Sequence, residues 1–144
     1  MLRRLAGDAI TITADGSFYA FNAIAAQTLR DMGIAAAVAP AETEDEQILE
    51  AAALVADWLI VPIRWRPPLF ISETRPVIPW EARDAKHMEL ADRRGWHCTV
   101  DASDGRWLTR DTKPIDRSAS LPAFRAAGYT MFRYDFTDTA QPLS

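Results

Sequence analysis

The 144-residue chain contains one cysteine, two histidines and two lysines, and each scarcity removes a class of protein. A lone thiol, Cys98, closes no internal disulfide, which points to a reducing compartment and a cytoplasmic location. Neither C-x-x-C nor H-x-x-x-H spacing accompanies His87, His97 and Cys98, so no zinc set is present. His97 and Cys98 are adjacent and point to opposite faces of any strand. Long apolar runs are missing too. The most apolar window, residues 51–63, is 13 residues long with Asp57 inside it, too short to cross a bilayer, so no membrane partner is expected. Asp8 interrupts the start before a signal-type apolar segment forms. The sequence has no G-x-G-x-x-G, Walker or G-x-S-x-G pattern, which leaves the common nucleotide-binding and α/β-hydrolase readings without their motifs.

The remaining composition is that of a globular domain, with 49% hydrophobic and 25% charged residues. The length suits one core, so a single α/β domain over residues 1–144 is expected. Net charge is −4, carried unevenly: residues 1–62 hold three arginines against nine acids, and residues 63–144 hold thirteen basic against eleven acidic residues. That excess is too small for a nucleic-acid stripe, so a nucleic-acid partner has only weak support.

Apolar periodicity predicts a strand at 10–13, a helix from Ser17 to Met32 closed by Gly33, and a strand at 34–39. Thr43 and Glu46 match a capping box opening a helix to Asp57, and 58–63 reads as a third, central strand. Short connections favour a parallel β-α-β-α-β unit. A hairpin turning at Asp15-Gly16, with residues 18–21 as its second strand, is the competing arrangement. Residues 64–79 carry four prolines and read as an extended excursion with a short strand at 69–72. A helix is predicted over 80–94. A hairpin follows, with strands at 96–101 and 106–111 around a turn at 102–105, then a helix at 119–127 and a closing strand at 129–136. The tail, 137–144, reads as loose. The whole is a mixed sheet with an N-terminal β-α-β-α-β unit and a C-terminal β-hairpin-α-β.

Two acidic arrangements follow from that order. Asp101 with Asp111-Thr112-Lys113 is similar to the metal-binding pattern of restriction endonucleases. With the turn at 102–105, however, the two aspartates stand roughly 17 Å apart, too far to share an ion. Alternatively, ligands of parallel α/β sheets bind at strand C-terminal ends. Asp15 follows the first strand, Glu42 and Glu44 the second, Arg64 and Arg66 the third, and Asp111 and Asp116 the strand at 106–110. If that strand runs parallel to the others, Asp15 and Asp111 hold Mg²⁺ or Mn²⁺, Asp116 or Glu42 support them, and Arg64 binds phosphate. Asp15 in Ala14-Asp15-Gly16-Ser17 and Asp111 in Leu108-Thr109-Arg110-Asp111 resemble the metal-dependent ribonucleases of the PIN and NYN type. The resemblance implies a divalent-metal phosphodiesterase, although a hairpin here stands where those families place a helix.

The same acids equally serve as helix caps and solvated loop residues. Five tryptophans are many for this length. Arg64-Trp65-Arg66 sets an indole between two guanidinium groups, a pattern suited to a protein interface. The leading expectation is therefore a non-catalytic interaction or assembly module that uses residues 64–79, with Arg64, Trp65 and Arg66 as binding residues and a protein partner or second copy. The alternative is the metal-dependent nuclease.

Overall fold

The expected alternation of strand and helix is present from the first described residues onward, in a computed structural model that describes residues 11–20, 22–75 and 86–136. The sequence expectations for residues 10, 21, 76–85 and the tail 137–144 lie outside these. Contacts divide the described chain into two compact units, one of residues up to Arg64 with Asp116–Phe136, the other Trp65–Ile115.

The first unit is a parallel α/β layer. Its elements are β1 (Thr13–Ala14), α1 (Ala23–Asp31), β2 (Ala36–Val38), α2 (Asp45–Val55), β3 (Leu59–Trp65, its last residue in the other unit), α3 (Leu121–Ala126) and β9 (Phe132–Tyr134). β2 pairs in parallel with β1 and β3, β9 pairs in parallel with β3, and the two-residue β8 (Ile115–Asp116) also neighbours β3. Right-handed crossovers between neighbouring strands β1, β2 and β3 set α1 and α2 on one face. Leu59, Val61 and Ile63 of β3, with Ala14, Ala37 and Ala39, meet Ile48, Val55, Phe124 and Tyr129 there. Small residues on β1 and β2 let the helices lie close. Phe124 and Tyr129 cross edge to face at 6.2 Å, and the Tyr129 hydroxyl donates to the Ile48 carbonyl at 2.5 Å. This bond ties the C-terminal segment to α2.

Helix starts fall later than the sequence suggested. Asp15, not Ser17, caps a short 3₁₀ turn at Gly16–Phe18, and Tyr19 then takes φ 49. That left-handed residue stops the helix from beginning there. Asn22 opens α1 instead, its side chain accepting from Ala25 N at 2.9 Å. At α2 the capping box is shifted by one residue: Glu44 and Gln47 form it, not Thr43 and Glu46. Gly33 follows α1 at φ 86, as expected of the residue that ends a helix.

The second unit is an antiparallel sheet in the order β4 (Pro68–Ser72), β7 (Arg106–Asp111), β6 (His97–Ser103), β5 (His87–Ala91). The helix predicted over 80–94 is corrected here, because its described part pairs His87–Ala91 with β6. Lys, Met, Glu, Leu and Ala favour helices locally, but ladder bonds to β6 and a turn at Asp92–Gly95 override that preference. Asp92 Oδ1 accepts from the backbone of Arg94 and Trp96, both at 2.8 Å. The β6–β7 turn lies at Asp104-Gly105, with φ 50 and 77, a two-residue type I′ geometry.

Removing the buried Phe124 ring tests the packing of the first unit. Phe124→Ala is expected to cost about 3–5 kcal/mol in urea unfolding, while Ile24→Ala, on the solvent side of α1, stays within about 0.5 kcal/mol of wild type.

Candidate functional site

At the C-terminal ends of the parallel strands, each acid is engaged by its own turn. Asp15 accepts from Ser17 N at 2.7 Å and from Ser17 Oγ at 2.5 Å. These bonds, aided by the charge of Arg133, hold its carboxyl below the usual aspartate value. Asp116 accepts from Ser118 N at 2.9 Å and stands 3.5 Å from Arg64. The Ser118 bonds, then Arg64, hold Asp116 low as well. Both partners of the Arg64–Asp116 pair are exposed, so it contributes little to stability. Glu42 is exposed in the turn after β2. Of the residues foreseen for this edge, the structure brings Arg64 and Asp116 together.

Asp111 belongs to the other unit, on β7, which pairs only antiparallel, with β4 and β6. The condition that placed it beside Asp15, a strand parallel to β1–β3, is therefore not met. Its carboxylate accepts from Lys113 N at 2.8 Å and from Trp96 Nε1 at 2.9 Å. The Lys113 bond first, then Trp96, holds its pKa down. The register also settles the spacing to Asp101. Asp101 stands opposite Leu108, so Asp111 lies three residues further on, about 10 Å along the strand. The turn nearer Arg106 shortens the distance expected from sequence without letting the two share an ion. Among the described residues, no group of three or more His, Cys, Asp or Glu side chains is placed to hold a metal ion.

The Arg64-Trp65-Arg66 triplet divides. Arg64 faces solvent, and Trp65 is buried at 8% exposure. Arg66 donates from Nε to the Asp111 carbonyl at 2.8 Å and from Nη2 to Thr99 Oγ1 at 3.1 Å. Trp65 thus packs at a strand end, and Arg66 braces the sheet. Cys98 is buried, and burial pushes its thiol up, which suits a small core residue rather than a nucleophile.

Two features went unseen in the sequence. The first is a polar row on one face of the antiparallel sheet, where His87 Nδ1 meets Asp101 Oδ1 at 2.5 Å. Reading 86–91 as a strand in register with the hairpin was the signal that exposes it, and the helix expectation hid it. The second is the edge position and exposure of β4, the strand the sequence placed at 69–72. Among the described residues it is one of the sheet's two edge strands, all five of its residues are exposed, and three consecutive ones are large and apolar: Leu69 at 45%, Phe70 at 66% and Ile71 at 58%.

In the first unit a small, mostly apolar groove runs along α2, lined by Asn22, Pro40, Thr43, Gln47, Ile48 and Ala51 among others. None of the acids or arginines foreseen as site residues lines it. The sequence matches no protein-family model, no curated protein and no solved structure.

Because Trp96 Nε1–H bonds the Asp111 carboxylate, the indole N–H resonance reports that group. It is expected to shift with a midpoint below the ordinary aspartate value. The stabilisation from the lowered pKa is present above the unfolded-state value and is lost as pH falls through the folded one. An NMR pH titration of wild type and Asp111→Asn checks this, and the acid shift of Trp96 should be missing in the variant.

Proposed function

We propose that the chain is a non-catalytic protein-interaction or assembly module that docks through residues 64–79, and in particular through β4. The observation that carries this is the run Leu69-Phe70-Ile71, exposed on an edge strand. Isolated apolar residues on a surface are ordinary, but consecutive ones on an unpaired strand edge favour contact with another chain. The edge is only partly open to ladder bonding. Pro68 starts the strand, and the register with β7 shifts between Pro68 and Phe70. Proline and bulges blunt a backbone edge. The partner therefore meets β4 chiefly by side-chain packing, with Phe70 as the large anchor.

The partner is a protein or a second copy of this chain. Among the described residues no helix is long and apolar enough to cross a membrane. A divalent-metal phosphodiesterase has less support, since Asp15 and Asp111 each commit their carboxylates to a local turn.

Site-specific photo-crosslinking tests the reading in cells of the source organism. A benzophenone side chain at position 70 or 71 is expected to give discrete adducts of a partner protein or of a dimer. The same group at Arg125, on α3, is expected to give none. Phe70→Glu should abolish the adduct at 71 while leaving the melting midpoint within about 0.5 kcal/mol equivalent of wild type. Equal labelling at 70, 71 and 125, or none at all, removes the basis for the module.

A further inference from the structure

We propose that β5, at the edge of the antiparallel sheet opposite β4, is an addition edge on which a second copy of this chain pairs, β5 antiparallel to β5, about a two-fold axis at Met88. This edge is separate from β4 docking and does not rest on it. Two backbone bonds fix which groups of β5 face inward. Ala102 N donates to Lys86 O, and Asp92 N donates to Trp96 O, both at 2.8 Å. Between them Met88 stands opposite Val100 and Leu90 opposite Cys98. Bonded and non-bonded pairs alternate along an antiparallel ladder, so residues 86, 88, 90 and 92 bond to β6. His87, Glu89 and Ala91 therefore turn their N–H and C=O groups outward. β5 ends the sheet order, and among the described residues no strand pairs with those groups.

Strand edges are usually blunted against such pairing. β4 has Pro68 and a register shift. β5 has neither, since it holds no proline and pairs with β6 at five consecutive positions. What guards this edge is charge, and charge selects among registers. Like charges directly opposite destabilise a strand pair, and opposite ones support it. A two-fold pairing through the outward groups has its axis at Met88, Glu89 or Leu90. With the axis at Glu89, the two Glu89 carboxylates oppose each other. With the axis at Leu90, β5 runs against the turn at Asp92–Gly95, and His87 faces Arg93 of the other copy. With the axis at Met88, each Glu89 carboxylate faces the other copy's His87, an imidazole that Asp101 Oδ1 already holds through Nδ1 at 2.5 Å. Lys86 then faces Leu90, which is 42% exposed and which a lysine stem can cover. Only this register is complementary.

His87 and Glu89 become the bonded pair twice over, and about four main-chain bonds close the interface. Two four-stranded sheets are thereby joined edge to edge, with both β4 strands at the far ends. The contact is isologous, so association stops at the dimer. One short strand from each copy makes a small interface, and the dimer is a reversible one.

Sedimentation and amide exchange on the full chain test this pairing. Wild type is expected to pass from monomer to dimer between about 10 µM and about 1 mM, as suits a small interface. The amides of His87 and Glu89 should exchange readily in dilute protein and become protected in the dimer, while those of Met88 and Leu90 are protected in both. Glu89→Pro removes an outward N–H and leaves the ladder to β6 intact. Two donors are lost per dimer, so association should weaken about tenfold or more. Glu89→Gln should leave it within about twofold. A marked strengthening in Glu89→Gln would mean that the two Glu89 side chains oppose each other, and overturns the register. A chain that stays monomeric over the range overturns the proposal, as does a dimer that survives Glu89→Pro. Loss of the dimer in Phe70→Glu assigns it to β4 instead, and growth beyond a dimer excludes the two-fold pairing. If Glu89→Pro fails to fold, the amide-exchange pattern of wild type decides alone.

Discussion

The first unit depends on the β3 ladder. Leu59–Trp65 pairs with β2 on one side and with β9 and β8 on the other, so segments far apart in sequence close on one strand. Val61 and Ile63, fully buried, place their side chains against the helices while their backbone groups bind both neighbours: Val61 N donates to Met131 O at 3.0 Å, and Arg117 N to Ile63 O at 2.7 Å. A strand bonded on both edges and covered by helices is where near-continuous apolar sequence is expected. The cost of closing the long loop between β3 and β9 grows only slowly with its length, and the burial of Phe124 and Tyr129 offsets it.

The same closure buries a charge. Arg117 lies between α2 and the segment leading to α3, with Nε 2.7 Å from Asp45 and Nη2 donating to the Thr43 carbonyl. Burial lowers its pKa and Asp45 counters that shift. Ser120 donates to the second Asp45 oxygen. A cation this enclosed is retained only where its donors find acceptors. Here the acceptors sit at the start of α2, where an acid also complements the helix dipole. Asp45 therefore joins the local helix start to the long-range closure.

The acids Asp15, Asp111 and Asp116 work within their own turns, each bonded to a residue two positions on. β4 carries three consecutive exposed apolar residues, and the linked imidazole and guanidinium groups lie on the face of the neighbouring strands.

Local chemistry was legible where it acts locally. The alternation of apolar strand and helix up to residue 63, Gly33 after α1, and the Asp-Gly turn between β6 and β7 follow from periodicity and φ preference. The start of α1 was misplaced because Ser17 and Asn22 are both good caps, and only the left-handed Tyr19 decides between them. The strand at His87–Ala91 was hidden because its residues favour a helix on their own and become a strand only when β6 supplies ladder bonds. Sequence by itself determined the α/β class, the alternation of strand and helix up to residue 63 and the absence of an internal disulfide, since these depend on residue type and spacing along the chain. Tertiary structure alone decided that β7 lies in a sheet separate from that of β1–β3, that Trp65 is buried while Phe70 is exposed, and that His87 meets Asp101. Those facts depend on register between strands, and a pairing register is set by contacts that no short stretch of sequence contains.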